Sequence, residues 1–296
     1  MKITAYDIVA KFYDKVIGRH DDLQDYTLKK IKQYNKKAGS LLELGCGTGE
    51  NLKNLQSKFE ITGIDISDKM LKIAKKKIPG GKFYRGDIRS FKLRKKFDVI
   101  ICLYDTVNHL TLFSELKKLF ANVKEHLNES GIFIFDINTI YKLNNLSEIS
   151  PLVYKFDKNF LIVEVRKLSL NIFNWTLKIF EYKINNNYKL HEVNIKEAVY
   201  DLSRIETELK KTFVLLNVET EDHKKINNST ERVFFVCKRR ETLDAYTLDA
   251  RRETSNVKRQ TSNVKCQTSN VKCQTSNVKL YLRSGREVIR EMIRNS

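Results

Sequence analysis

The chain has 296 residues, of which 41% are hydrophobic, so it is long enough to bury one large domain or two small ones. No apolar run approaches the roughly 20 residues of a membrane-spanning helix, and residues 1–12 lack the apolar centre of a secretory signal. The five cysteines form no C-x-x-C pair, which argues against a disulfide framework or zinc site. We therefore expect a cytoplasmic protein without a metal centre.

The formal net charge is +19, a balance that could attract nucleic acid or an acidic membrane surface. The basic residues are scattered, as at Lys29, Lys36 and Lys75, rather than gathered in one arm. This scattering favours solvated helix faces. A nucleic acid partner is therefore left open but not favoured, and no membrane partner is expected.

Helices and strands alternate in the first half of the chain. Tyr6, Val9, Tyr13 and Val16 have helical spacing and predict a helix over 5–17, followed by a second over about 22–35. Short apolar runs predict strands at 41–44, 61–66, 82–85, 97–104 and 131–136. The segments between them carry helical stripes over 52–59, 70–78 and 113–127. This alternation predicts a parallel sheet with helices on both faces.

The pattern changes after the fifth strand. Aromatic and β-branched residues predict three strands, at 153–165, 168–184 and 188–200, with a hairpin turn at 185–187. Ser203 and Glu206 form a capping-box pattern for a helix to about Lys211, and two strands follow near 213–219 and 232–237. We expect the insert of about 150–200 to be antiparallel and to cover a ligand at the strand ends.

A tandem heptad, TSNVKRQ and its variants, occupies residues 254–281. Valine alone supplies a regular apolar position in each heptad, whereas a coiled coil needs two. We therefore predict a domain over 1–240 and a disordered low-complexity tail over 241–296.

The segment E-L-G-C-G-T-G, from Glu43 to Gly49, stands where the first sheet strand meets a helix. Glycines there let the backbone approach a ligand closely. Asp65 ends the second strand, where a carboxylate can accept hydrogen bonds from ribose hydroxyls. A tight turn without a ligand is the alternative.

Two details favour S-adenosylmethionine over a dinucleotide. The glycines are spaced G-x-G-x-G rather than G-x-G-x-x-G. Glu43 precedes them by two residues, and its carboxylate suits a sulfonium and an ammonium group but would repel a pyrophosphate.

Further motifs follow along the chain: G-I-D-I-S-x-x-M-L-x-x-A from Gly63, G-D-I from Gly86 and F-D-V-I-I-C-L-Y-D-T-V-N-H-L from Phe97. Together with E-L-G-C-G-T-G and the N-terminal Y-D-x-x-A-x-x-Y-D, they resemble the class I S-adenosylmethionine-dependent methyltransferases. The resemblance covers about residues 5–239 and is strongest to small-molecule members such as aminosugar N,N-dimethyltransferases and, more distantly, glycine N-methyltransferase. It implies a Rossmann-like, seven-stranded, mostly parallel α/β sheet.

The resemblance also implies a cofactor site. Three glycines would lie against the methionine part and the ribose: Gly45, Gly47 and Gly49. Asp65 would hold the ribose hydroxyls, Leu103 would direct a carbonyl towards the cofactor ammonium, and Tyr13 would cover the methionine end. The apolar face of the first helix is an equal explanation for Tyr13.

The adenine end is implied by the next motifs. Ile66 and Met70 would flank the ring, although ordinary helix packing explains Met70 equally well. Asp87 would receive the adenine amino group, unless it is only a turn residue, and Ile88 would supply a backbone contact.

Candidate catalytic residues follow the fourth strand. A sulfonium methyl is already electrophilic, so the enzyme must align the reactants and exclude water. A general base helps only if the nucleophile arrives protonated. Of Tyr104, Asp105, Asn108 and His109, the imidazole has a suitable pKa, about 6.5. We hypothesise that Tyr104 and His109 line the acceptor pocket.

The acceptor itself is not implied. Relatives often carry E-x-H-x-Q-R-x-Y at the end of the insert, and Ile195 and Ala198 replace its His and Arg here. Asp136 and Asn138, after the fifth strand, either face the pocket or cap a loop. The leading hypothesis is a monomeric or homodimeric enzyme that methylates a nitrogen or oxygen of a small metabolite. An RNA or protein methyltransferase, or a non-catalytic cofactor-binding protein, are the alternatives.

Overall fold

The computed structural model describes residues 3–17, 21–185 and 187–240. The predicted repeat tail over 241–296 and Asn186, the middle of the predicted hairpin turn, lie outside the described residues.

The described residues form eight α-helices and eleven strands. The helices are α1 (Ala5–Val9), α2 (Tyr13–Ile17), α3 (Asp21–Tyr34), α4 (Glu50–Lys53), α5 (Asp68–Lys77), α6 (Phe113–His126), α7 (Ile140–Ile149) and α8 (Leu202–Leu209). The strands are β1 (Ser40–Leu44), β2 (Glu60–Asp65), β3 (Lys82–Arg85), β4 (Phe97–Cys102), β5 (Leu127–Asn138), β6 (Leu152–Phe156), β7 (Asn159–Lys167), β8 (Ile172–Tyr182), β9 (Tyr188–Ala198), β10 (Phe213–Glu219) and β11 (Arg232–Arg239). A 3₁₀ turn spans Thr106–His109.

Seven strands form the main sheet in the order β3-β2-β1-β4-β5-β11-β10. The first five run parallel, and β11 lies antiparallel to both β5 and β10. The strand order reverses between β1 and β4, since the chain moves outward to β3 and then returns. This confirms the predicted Rossmann-like, mostly parallel sheet.

Alternate residues of the central strands enter two separate cores. Leu42, Ile100 and Phe133 face one core with α6 and α8, while Leu41, Val99 and Ile132 face the other with α3 and α5. Burial on both faces explains why these strands read as continuous apolar runs. The helices on both faces of the sheet are confirmed.

The insert forms a second, antiparallel sheet of four strands, β6-β7-β8-β9. The sequence predicted three, because it merged β6 and β7; a tight turn at Asp157, with φ of 50°, separates them. The helix α7 before this sheet was not predicted. The inner face of the sheet packs on α1, α2 and α7, with Val163, Phe173 and Val193 buried there.

Two further expectations were wrong in detail. The predicted helix over 5–17 is interrupted between α1 and α2. The last helix is capped by Asp201, whose side chain accepts from the Arg204 N–H, rather than by Ser203.

Within the described ranges, no helix is long and apolar enough to cross a membrane, and no group of His, Cys, Asp and Glu could hold a metal ion.

Candidate functional site

The glycine-rich turn lies where the strand order reverses, at the carboxyl ends of β1 and β4. Crevices of this kind are the usual ligand sites of open α/β sheets. Gly45, Gly47 and Gly49 all have left-handed φ angles, of 71°, 50° and 74°. A Cβ on Gly45 would lie 2.5 Å from the Thr106 methyl, so the turn needs glycine both for its backbone and for its packing.

Asp65 joins this turn to the second strand. One carboxylate oxygen accepts the Gly47 N–H at 2.8 Å, and the other accepts the Ser67 N–H at 2.8 Å. Burial raises the pKa of Asp65, while these backbone hydrogen bonds oppose the rise. The Ile66 N–H is a third backbone donor to this carboxylate, which has about four acceptor positions. Asp65 therefore braces the glycine turn and can still accept from a ligand.

Glu43 is almost fully buried at the end of β1. Its Oε1 accepts from Asn51 Nδ2 at 3.0 Å, whereas Oε2 is buried without a hydrogen-bond partner. Burial raises the pKa of Glu43 to about 8. Such a carboxyl is suited to a cation that would supply the missing partner.

A cavity of 380 Å³ extends from the glycine turn along β2 and β3. Most of the predicted cofactor residues line it: Tyr13, Gly45, Gly47, Asp65, Ile66, Met70, Asp87 and Ile88. Glu43, Gly49 and Leu103 are not part of its lining. The Leu103 carbonyl accepts from the Thr106 hydroxyl at 2.8 Å, so it already has one partner.

Asp87 stands at the far end of this cavity beside Arg89. The guanidinium donates to both carboxylate oxygens of Asp87 and also pairs with Glu115. The hydrogen bonds from Arg89 hold the pKa of Asp87 below its usual value. Asp87 is therefore an ionised acceptor held in a fixed orientation.

A second cavity, of 450 Å³, lies between the N-terminal helices and the inner face of the second sheet. Its walls are largely apolar and come from β7, β8 and β9, including Leu161, Trp175, Leu177 and Ile195. The insert therefore covers a cavity next to the strand ends, as expected from the sequence.

Four side chains line both cavities: Tyr6, Tyr13, Tyr104 and His109. Tyr104 and Asp105 have left-handed φ angles of 58° and 52°, which are uncommon for non-glycine residues and often mark functional sites. The structure thus brings both predicted catalytic residues to the boundary between the cavities. Tyr6 was missed as a site residue, because its position in the apolar stripe of the first helix explained it.

His109 is held by Tyr6. The Tyr6 hydroxyl and His109 Nε2 are 2.8 Å apart, and the two rings make an edge contact. Burial lowers the pKa of His109, although Asp105 and the backbone of Lys196 oppose this. The imidazole is therefore neutral at pH 7.

Charged residues gather at one end of the second cavity. Asp105 and Glu197 are hydrogen-bonded to each other, and Arg232 pairs with Asp136 and Asp105. Burial beside Asp105 raises the pKa of Glu197 well above its ordinary value, whereas Arg232 and Lys142 help to lower the pKa of Asp105. Lys142, which also lines this cavity, donates to Asn138 Oδ1 at 2.9 Å. Sequence reasoning missed Arg232, since no local pattern links it to the other residues.

The fold and this site have recognisable relatives. Residues 41–131 match the family described as methyltransferase domain. A putative methyltransferase of Geobacillus sp. (strain WCH70) is 28% identical over 245 residues, 79% of this chain and 99% of that protein. The dTDP-3-amino-3,4,6-trideoxy-α-D-glucopyranose N,N-dimethyltransferase of Streptomyces venezuelae is 31% identical over 107 residues, 36% of this chain and 45% of that protein.

A solved structure shares the whole architecture. The S-adenosylmethionine-dependent methyltransferase from Clostridium acetobutylicum ATCC 824 superposes with a TM-score of 0.72 and is 29% identical. The match covers 80% of this chain and 100% of that one. Together with the glycine turn and Asp65, these similarities support a class I S-adenosylmethionine-dependent methyltransferase.

Proposed function

We propose that the protein transfers the methyl group of S-adenosylmethionine, bound in the 380 Å³ cavity, to a nitrogen or oxygen of a small molecule in the 450 Å³ cavity. The observation that carries this proposal is the shared boundary of the two cavities. Among the described residues, four line both cavities, so a methyl group would pass between them there: Tyr6, Tyr13, Tyr104 and His109.

The residues of the first cavity fit the cofactor. The glycine turn leaves room for a ligand against its backbone. Glu43 is outside the cavity lining, but it lies two residues before Gly45, and its unpartnered Oε2 suits the cationic methionine end. Asp65 would accept from the ribose hydroxyls, and Ile66 and Met70 would flank the adenine. Asp87, oriented by Arg89, would accept from the adenine amino group. The bound cofactor supplies an electrophilic methyl group.

Tyr104 and His109 would orient the acceptor at the boundary. His109 is neutral, so it can take a proton from a nucleophile that arrives protonated, and Asp105 would stabilise the resulting imidazolium. Apolar walls and the aromatic boundary exclude water from the path.

A small acceptor is favoured over RNA or protein. The walls of the second cavity come from α1, α2 and the second sheet, which surround the boundary residues. A cavity of 450 Å³ falls within the usual range for small-molecule sites, about 300–1,000 Å³.

The test is a calorimetric titration of S-adenosylmethionine into the wild-type protein and into Asp65→Ala. Asp98→Ala is a matched control, because Asp98 also accepts backbone N–H groups, from Gly39 and Ser40, but at the opposite end of the strands. Binding by wild type and Asp98→Ala that is lost in Asp65→Ala supports the cofactor site. Radiolabelled methyl transfer to the small-molecule fraction of a cell extract, but not to its polymers, supports the acceptor class. Absence of binding to wild type would refute the proposal.

A further inference from the structure

We infer that the acceptor is an amine with an apolar body, and that the Asp105–Glu197 pair binds its nitrogen beside His109, which takes its proton. This inference rests on the proposed function and names the acceptor class for the same site. It departs from the nucleotide-linked aminosugar acceptors that the names of some relatives indicate.

The walls of the 450 Å³ cavity favour an acceptor with an apolar body. On the side of the second sheet these are Trp175, Leu177, Ile179 and Ile195, and Phe12 closes the side of the N-terminal segment. The cavity has room for about 15 heavy atoms if each takes the roughly 30 Å³ of a liquid water molecule. Apolar walls of this kind gain binding energy from aromatic or aliphatic groups and lose it on burying sugar hydroxyls without partners.

The polar end of the 450 Å³ cavity favours an amine. Asp105 follows Tyr104 directly and acts electrostatically on His109, so it adjoins the boundary that the methyl group must cross. Asp105 and Glu197 are hydrogen-bonded to each other and both line the cavity, and a carboxylate offers about four acceptor positions. A group that donates hydrogen bonds, or carries positive charge, therefore complements this end.

A nucleoside diphosphate fits this cavity poorly. Phosphates are bound by cations or by helix N-termini. The cationic side chains among the described lining residues are Arg232 and Lys142. Arg232 already pairs with two carboxylates, Asp136 and Asp105, and Lys142 adjoins the same acidic groups.

The proposed step balances. An alkylammonium gives one proton to the neutral His109, and Asp105 stabilises the imidazolium that forms. The freed nitrogen lone pair forms a bond to the methyl carbon, while the carbon–sulfur bond breaks and its electrons stay on sulfur. The products are a methylated ammonium and a thioether. His109, which lines both cavities, then returns its proton to water.

The experiment uses the full chain with saturating S-adenosylhomocysteine and three probes: 2-phenylethylamine, 2-phenylethanol and thymidine 5′-diphosphate. Binding is measured by calorimetry, and methyl transfer is measured separately with radiolabelled S-adenosylmethionine. Ile195→Asn places an amide in the apolar wall, and Leu190→Asn is its control on the exposed outer face of the same strand. Asp105→Asn tests the polar end.

We expect the amine to bind and accept methyl groups, with the alcohol weaker by about tenfold or more. Ile195→Asn should weaken amine binding by at least about tenfold, Leu190→Asn should leave it unchanged, and Asp105→Asn should remove the preference for the amine. Equal binding of amine and alcohol, or binding of thymidine diphosphate in place of the amine, would overturn the inference. A protein that binds S-adenosylmethionine but not the amine overturns the inference alone, whereas one that binds neither overturns the proposed function as well.

Discussion

The buried Glu43 carboxyl should release a proton when the cofactor binds. The free protein holds this carboxyl at a pKa of about 8, against an ordinary value of 4.5. The difference corresponds to about 5 kcal/mol disfavouring the charged form. At pH 7 the group is therefore about 90% protonated before binding. A cationic ammonium or sulfonium beside it favours the carboxylate, so the complex should hold about one proton fewer.

The affinity for S-adenosylmethionine should consequently rise with pH. Between pH 6 and 7 the association constant should increase about tenfold, and the increase should level off near pH 8, as Glu43 ionises in the free protein. The assay is calorimetry in buffers of different ionisation enthalpy, which counts protons directly. The ligand's own amino group titrates near pH 8, so the comparison is made below pH 7.5.

Glu43→Gln is the control, because it preserves the acceptor for Asn51 but cannot release a proton. Its cofactor affinity should be nearly independent of pH over this range. The same proton count and the same pH slope in both proteins would refute the reasoning.

Three further outcomes follow from the geometry. Folding raises the pKa of Glu43, so the protonated carboxyl stabilises the folded state fully below pH 4.5, and this stabilisation is lost as pH rises towards 8. The melting temperature of Glu43→Gln should thus exceed that of wild type at pH 8 but not at pH 4.5. Gly63→Ala should lower the free energy of unfolding by about 1–3 kcal/mol in urea, because its Cβ would lie 2.7 Å from neighbouring side chains, whereas Gly39→Ala has no atom within 4 Å and should be nearly neutral. His109→Ala should lower acceptor turnover by about a hundredfold and Tyr104→Phe by less, with cofactor affinity retained. With S-adenosylmethionine saturating at every pH, the wild-type kcat/KM for the acceptor should fall only as the pH drops below 6.5, since the His109 pKa is lowered. That acid limb should disappear in His109→Ala. Unchanged turnover in both variants would contradict their placement at the acceptor.

Much of the fold could be predicted because each main-sheet strand is a short apolar run with a helical stripe after it. The elements that the sequence did not predict have local explanations. The turn at Asp157 contains neither glycine nor proline, so β6 and β7 read as one strand. The helix α7 has no acidic residue in its first turn and begins two residues after the end of β5, so its N-cap Thr139 was the one local sign of its start.

The proposed cofactor half of the site could be predicted from the sequence. A turn with left-handed glycines and a carboxylate at a strand end each depend on only a few consecutive residues. Gly45, Gly47 and Asp65 could therefore be predicted from short sequence motifs. The acceptor half was decided only by the tertiary structure. Tyr6 meets His109 across 103 positions, and Arg232 meets Asp105 across 127. No periodicity relates residues so distant in the chain, because their contacts depend on how the N-terminal helices and the second sheet close over the strand ends.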